Sequence, residues 1–284
     1  MISSSFDYAR ATSLDDAIKR LGAAGGAAKL VAGGHSLVPL MKLRLSEPQA
    51  LIDIARIKAL SNISELDGHI EIGATAVHHA VATSKLLRRQ CPGVADAAGE
   101  IGDPQVRNRG TLGGSLAHAD PAADYPAVML AVDAEIHLKG PKGWRMVRAD
   151  GFFQGLFTVD LAPDEIIAGV RFAPAPVSAY AKLRQRASHY AIVGVAAALQ
   201  VNDGTIQSAR VGLTGAGAHA VRLSSVERAL AGQPLTDAVI ASAAGHAGAE
   251  VTHLNADIHA SEDYRRAMIP VFTRRALEGA MRRA

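Results

Sequence analysis

The chain of 284 residues contains a single cysteine, Cys91. That scarcity excludes an internal disulfide, an all-cysteine zinc site and an iron–sulfur cluster held by this chain alone. Aromatic residues are few as well, at 4%. Alanine supplies about a fifth of the sequence, so the 49% apolar content describes a lightly built core rather than an oily one. No apolar run reaches the roughly 18 residues that a membrane-spanning helix needs. The opening Met1-Ile2-Ser3-Ser4-Ser5 has neither a basic nor an apolar region, so no secretory signal is expected. Charged residues make up only 20%, too little for a disordered chain. At about 150 residues per domain the length suggests two domains. Together these absences predict a soluble cytoplasmic protein of two or three domains.

Thirty basic residues against 27 acidic ones leave a surplus too small to point to a partner. The dense basic stretch is C-terminal: Arg265, Arg266, Arg274, Arg275, Arg282 and Arg283. It is interleaved with Met268, Ile269, Val271, Phe272, Leu277 and Met281 at helical spacing. It reads as a terminal amphipathic helix with arginine on its polar face, or as a docking surface for an acidic partner. No RNA-binding signature or zinc finger accompanies it, so nucleic acid is not an expected partner.

Ser13-Leu14-Asp15-Asp16 resembles a capping box, and Ala17, Ile18 and Leu21 then share one helical face. Short strands follow at Lys29–Ala32 and Leu51–Ile54, making a small βαβ-type unit. Ile63–Leu66 and His69–Ile72 flank Asp67-Gly68, a strong hairpin signal. Helical stretches are expected over about 77–90 and 93–101, separated by Pro92. Residues 102–124 have little periodicity and many turn residues, and read as a long functional loop. A helix is expected over 122–132, a hairpin from Glu135–Leu138 and Trp144–Val147, and a strand over Ile166–Phe172. Pro174 and Pro176 mark a domain boundary. Three strands, Tyr180–Arg184, Ile192–Val201 and Ile206–Thr214, come next, and helices run to the end.

Two segments carry chemistry. Ala32-Gly33-Gly34-His35-Ser36 and Thr111-Leu112-Gly113-Gly114-Ser115 each place a glycine pair before a serine. Paired glycines allow backbone amides to converge on an anion, and the serine adds a donor. Two such loops could grip a diphosphate from both sides; singly, each could be a tight turn. Neither is a P-loop, because no Gly-Lys-Ser/Thr follows. Gly215-Ala216-Gly217-Ala218-His219-Ala220 matches a dinucleotide fingerprint formally but lacks the later acidic residue, and reads as a turn. His78-His79 are adjacent and have no third ligand nearby, so no metal site is expected.

Ala32–Ser36 continuing through Leu37-Val-Pro-Leu-Met-Lys-Leu-Arg44 resembles the first flavin loop of the FAD-binding medium subunits of molybdenum hydroxylases, the carbon monoxide dehydrogenase and xanthine dehydrogenase group. The run from Ile101 to Asp124 is similar to that family's second loop, and Lys182–Val193 and Ser261–Arg266 extend the match along the whole chain. The resemblance implies an α+β protein. It would combine an FAD-binding fold of the p-cresol methylhydroxylase and vanillyl-alcohol oxidase type with a C-terminal carbon monoxide dehydrogenase flavoprotein-like α/β domain. It implies FAD-binding subdomains over 1–55 and 56–175 and a third domain over 176–284.

By the same resemblance, Ala32, Gly33, Gly34, His35 and Ser36, with Thr111, Leu112, Gly113, Gly114 and Ser115, would hold the pyrophosphate and adjoining parts of FAD, mainly through backbone amides. Leu30, Val31 and Leu37 would pack beside them, and Ile101 and Ile167 would line the adenine or ring environment. Asp124 would accept from a ribose or ribityl hydroxyl, with Asp120 the better placed helix cap. Lys182 would sit by the flavin and stabilise electron density on the reduced ring. Tyr190 would cover one face of the isoalloxazine, and Arg186 would control access. No acid–base constellation is expected, because the cofactor supplies the chemistry. The implied role is electron transfer within a multi-subunit enzyme. A large subunit would carry molybdopterin, a small subunit 2Fe-2S clusters, and the whole would be a dimer of heterotrimers, a heterohexamer. Two other readings stay open on the sequence: a free-standing FAD-dependent oxidase or dehydrogenase of the same fold, and a non-catalytic nucleotide-binding or assembly protein.

Overall fold

Ser13 caps the first helix as its position requires: its hydroxyl accepts the Asp16 amide, and Leu14–Ala23 buries Ala17, Ile18 and Leu21. In the computed structural model, which describes residues 2–284, this helix packs on a three-stranded sheet. Ala50–Asp53 is the central strand, with Asp7–Arg10 and Ala28–Val31 on either side, both parallel to it. The strand at Asp7–Arg10 gives no signal in the sequence because it is a largely exposed edge with no apolar alternation.

The middle of the chain forms a five-stranded antiparallel sheet. Its order is Ile63–Leu66, His69–Gly73, Ile166–Phe172, Glu135–Gly140, Gly143–Arg148. Asp67 and Gly68 both have positive φ, the conformation a two-residue hairpin turn demands. Three helices, His78–Thr83, Lys85–Gln90 and Pro92–Glu100, occupy the region where two were expected. Ser84 takes an extended ψ of 119°, ending the first and capping the second through the Leu87 amide. Pro92 opens the third helix instead of separating elements, since the first helical position has no use for an amide hydrogen.

The expected long loop is not one. Residues 104–118 contain two short helices, Pro104–Arg107 capped by Asp103 and Leu112–His118 capped by Thr111. At four and seven residues they are too short to display a helical period in sequence. Asp124–Ala131 follows and is buried on all sides among Leu112, Phe152 and Ile136 of the middle core.

Four antiparallel strands form the last sheet, Ser178–Arg184, Ala191–Asn202, Thr205–Thr214 and Val221–Arg222. Its two faces go to different cores. Tyr180 and Ala196 join the middle core, whereas Ala179, Val195 and Ala197 join Val226, Ile240, Phe272 and Leu277 of the C-terminal helices. Gly212 is where strand and helix backbones meet, since a Cβ there would lie 2.9 Å from the Ala127 carbonyl carbon. Gly215, at φ +83°, donates its amide to Pro121 and begins a bend, so the formal dinucleotide match is a turn.

The terminal helix, Glu262–Met281, departs from the expected pattern at Arg265. Arg266, Arg274, Arg275 and Arg282 are exposed, but Arg265 is only 3% exposed. Its guanidinium donates to the carbonyls of Ile192 and Gly215 and to Asp257, bracing a loop rather than facing solvent. Beyond the helix end, Arg283 pairs with Asp96 of the middle region and donates to the Ser178 carbonyl.

Candidate cofactor-binding site

The strand Ala28–Val31 runs out at Ala32, and Leu37–Lys42 starts the next helix. Between them the amides of Gly33, Gly34, His35, Ser36 and Leu37 have no hydrogen-bond partner among the described residues. Gly34 has φ +74°, a change of hand of the kind by which successive backbone amides can be brought to face one anion. Ser36 makes no capping bond, so its hydroxyl stays available beside them. The His35 ring is exposed and makes a polar contact with the Gly33 carbonyl at 3.2 Å.

Gly33 rests on the Arg109–Gly110 backbone, immediately before the second glycine segment. A Cβ there would stand 2.8 Å from the Gly110 Cα and closer still to the Arg109 carbonyl oxygen. The structure thus brings together the two segments that the sequence singled out. They are different devices, however. In the second, Leu112 donates to the Ala76 carbonyl (3.0 Å) and Gly113 to the Ala74 carbonyl (2.8 Å). Gly114 donates to Thr111 Oγ1 (3.2 Å) and Ser115 to the Thr111 carbonyl. Those four amides are engaged within the fold, and Gly113 is pressed against Ala74. What this segment can offer a ligand is the half-buried Ser115 side chain.

His78 supports that segment from below. Its amide donates to the Gly110 carbonyl, its ring faces the Tyr125 hydroxyl at 3.3 Å, and a Cβ on Gly110 would strike its Nε2. Burial pushes its pKa down to about 4, with the charges of His35 and Arg107 acting the same way. A lowered folded-state pKa contributes stability that is present above the unfolded value of 6.5 and is lost as pH falls toward 4. The shift corresponds to about 3 kcal/mol. A His78→Gln chain should therefore lose about 3 kcal/mol less between pH 7 and pH 4 than the parent in urea titrations. Equal acid sensitivity in the two would contradict the assignment.

The remaining candidates gather around a buried ion pair. Asp124 is 4% exposed and its carboxylate meets Lys182 Nζ at 2.9 Å and the Tyr180 hydroxyl. Burial pushes the Asp124 pKa up, opposed by Lys182 and Tyr180. Lys182 also donates to the carbonyls of Glu100 and His189, both at 2.8 Å. Asp120 is not the helix cap: its carboxylate accepts the Ala122 amide, and Ala123 holds the capping position. Tyr190 is half-exposed at the end of the 185–190 turn, its phenol pushed up to about 12 by burial and by Asp120 and Asp124. With Asp120, Asn255, His259 and Arg265 it walls a cavity of about 410 Å³. Arg186 is exposed on the same turn.

Ile101 is half-buried just past the helix Pro92–Glu100, where Arg107 donates to the carbonyls of Ile101 and Gly102. Ile167 is 4% exposed and belongs to the middle core. Leu30, Val31 and Leu37 are half-buried around the first segment. Sequence reasoning missed the Arg109–Gly110 backbone as the floor under Gly33, and missed Glu100 and His189 as partners of Lys182. The Arg109-Gly110 pair gave a usable signal, a glycine directly before a capping threonine; the two carbonyl partners gave none.

A run of unpaired amides closed from behind by another backbone is a receptor for phosphate oxygens, so the residues present fit the pyrophosphate of a flavin dinucleotide. Comparison with known proteins agrees. Residues 4–175 match the family described as FAD binding domain in molybdopterin dehydrogenase, and residues 178–280 match the CO dehydrogenase flavoprotein C-terminal domain. The fold and site thus define an FAD-dependent oxidoreductase subunit. The chain is 38% identical over 286 residues to the carbon monoxide dehydrogenase medium chain of Hydrogenophaga pseudoflava, covering 100% of this chain and 99% of that one. It is 37% identical to the 6-hydroxypseudooxynicotine dehydrogenase complex subunit alpha of Paenarthrobacter nicotinovorans, over 99% of this chain and 96% of the relative. Among solved structures, carbon monoxide dehydrogenase from Hydrogenophaga pseudoflava superposes with TM-score 0.95 at 39% identity, covering all of both chains. Quinoline 2-oxidoreductase from Pseudomonas putida 86 gives 0.92 at 31%, covering 99% of each. The chain belongs to the FAD-binding medium subunits of the carbon monoxide dehydrogenase and xanthine dehydrogenase type of molybdenum hydroxylase. Among the described residues, no helix is long and apolar enough to cross a membrane.

Proposed function

We propose that this chain is the electron-transfer subunit of a cytoplasmic heterohexamer, a dimer of heterotrimers. It takes electrons from the 2Fe-2S clusters of a small subunit and passes them to an external acceptor, while a large molybdopterin subunit hydroxylates the substrate. The observation that carries this reading is the set of unpaired amides from Gly33 to Leu37, backed by Arg109 and Gly110. The composition supports it too: the chain has one cysteine, Cys91, and it is buried, so this chain alone does not supply the several thiolates that hold a cluster.

Bound FAD supplies a centre that can change redox state in single-electron or paired steps, which is the chemistry a relay between clusters and an acceptor needs. The protein's part is to bind and orient. Gly33, Gly34, His35 and Ser36 hold the pyrophosphate, with Ala32 and Leu37 framing the turn. Thr111–Ser115 keep Gly33 in place through the adjoining Arg109–Gly110 backbone and present Ser115. Leu30, Val31, Ile101 and Ile167 supply apolar walls, and Asp124 lies beside the cofactor with Lys182 at its back. Tyr190 lies against the ring and limits access of oxygen, with Arg186 at the entrance. A Tyr190→Ala complex should show a shifted flavin absorption band or roughly tenfold faster reaction of the reduced enzyme with oxygen, of the order expected for removing one contact. Identical values for both would remove Tyr190 from the site.

Affinity purification from source cells tests the assembly. Recovery of the chain with molybdenum-containing and iron-containing partners and with FAD is the expected result. Recovery as a flavoprotein without metal-bearing partners would overturn it.

A further inference from the structure

One ammonium lies where three candidate cofactor segments meet. The side chain of Lys182 has no exposed surface at all. Its three acceptors are Asp124 at the start of the Asp124–Ala131 helix, the Glu100 carbonyl at the end of Pro92–Glu100, and the His189 carbonyl in the turn before Tyr190. A group with no surface open to water offers none to a ligand. Its charge is also matched by Asp124 at 2.9 Å, so its field beyond that pair falls off as a dipole's rather than as a free charge's.

The turn it grips depends on few other ties. Within the turn, the Gln185 side chain accepts from Ser188, the Gln185 amide donates to the Tyr190 carbonyl, and the His189 amide donates to the Gln185 carbonyl. Outward, His189 Nδ1 meets the Gly102 carbonyl at 2.8 Å and the Ala191 amide donates to Ala122. His189 itself sits at φ +61°, a state that a β-carbon disfavours and that needs outside support. Lys182 supplies that support one peptide unit from Tyr190.

We propose that Lys182 is a positioning residue: it clamps the 185–190 turn onto Glu100 and Asp124 and thereby fixes where the Tyr190 ring stands. The proposal deepens the functional reading above, because the consequence for the flavin rests on Tyr190 lying against the ring. It replaces a direct electrostatic role for Lys182 with a geometric one.

The test uses the assembled, FAD-containing enzyme with the paired substitution Lys182→Met and Asp124→Asn, which leaves neither charge buried alone. Hydrogen exchange reads the clamp directly. The amides of Ser188, His189 and Tyr190, each hydrogen-bonded within the turn, should exchange about tenfold faster or more than in the parent, while those of Ser178–Arg184 keep the parent's rates. Unchanged exchange in the turn overturns the proposal. Oxygen reactivity of the reduced enzyme reads the consequence. If Lys182 acts through Tyr190, Tyr190→Ala changes the rate in the parent but by less than about twofold in the paired variant. A full Tyr190→Ala effect in both backgrounds means that Lys182 acts independently, and overturns it. If Tyr190→Ala leaves both the flavin band and the oxygen rate of the parent unchanged, the placement of Tyr190 at the ring fails, and the exchange measurement alone then decides the clamp. If only the rate is unchanged, the band shift is compared in the two backgrounds instead.

Discussion

A Gly33→Ala chain is expected to fold and to lose FAD. The added methyl would stand inside contact distance of the Arg109 carbonyl and 2.8 Å from the Gly110 Cα. Both obstacles are backbone, and the Arg109 and Gly110 amides both donate hydrogen bonds to the Val106 carbonyl, so no flexible side chain can give way. The relief available is a shift of the glycine turn, which re-aims the unpaired amides of Gly33 to Leu37. Each amide bonded to a charged phosphate contributes about 1.5–3 kcal/mol, so losing one or two weakens binding by between roughly tenfold and roughly ten-thousandfold. Titration of FAD into the variant, or the flavin-to-protein ratio of the purified complex, measures this. Gly22→Ala is the matched control. It lies in a helix with nothing within 4 Å, and should keep its FAD and gain about 0.5–1 kcal/mol of stability. A Gly33→Ala protein with full flavin content and affinity within about threefold of the parent would refute the cradle.

Lys182→Met alone should be among the most destabilising single changes in the chain. It leaves the Asp124 carboxylate buried with, among the described residues, only the Tyr180 hydroxyl as partner. Breaking a buried pair from one side costs about 3–5 kcal/mol, or about 10 °C in midpoint for a protein of this size. Adding Asp124→Asn removes the orphaned charge and should restore much of that loss. The pair joins the Ser178–Arg184 strand to the Asp124–Ala131 helix, so the loss falls on the contact between the C-terminal sheet and the middle region. Thermal unfolding of the two variants and the parent measures the difference. A single variant within about 1 kcal/mol of the parent would mean that the pair is not buried as described.

Where the local chemistry is explicit, sequence and structure agree. Ser13 before an apolar helical face and Asp67-Gly68 between alternating strands each act within a few residues, and each gives the element expected of it. The glycine pairs were legible as close-approach sites for the same reason. Their division of labour was not, because it depends on Ala74 and Ala76, which are distant in sequence and accept the amides of Gly113 and Leu112. The helices inside 104–118 escaped notice because each is shorter than the window that reveals a helical period. Arg265 and Lys182 point to a further limit. Long cationic side chains are read by default as solvated, and only the carbonyls that surround them, supplied by other strands and helices, make burial tolerable. The cofactor itself was legible through resemblance of the 32–44 and 101–124 runs, and not through periodicity or spacing.

The central claim is that electrons pass from iron–sulfur clusters of a partner to a flavin held by this chain. Rapid photochemical injection of electrons into the assembled enzyme, without oxygen, tests it directly. Cluster and flavin absorbance are followed together in the parent complex and in one carrying Gly33→Ala. The account predicts that in the parent the cluster signals appear first and decay as the flavin band bleaches, and that in the variant they persist. Clusters that stay reduced beside an oxidised flavin in the parent complex would contradict it.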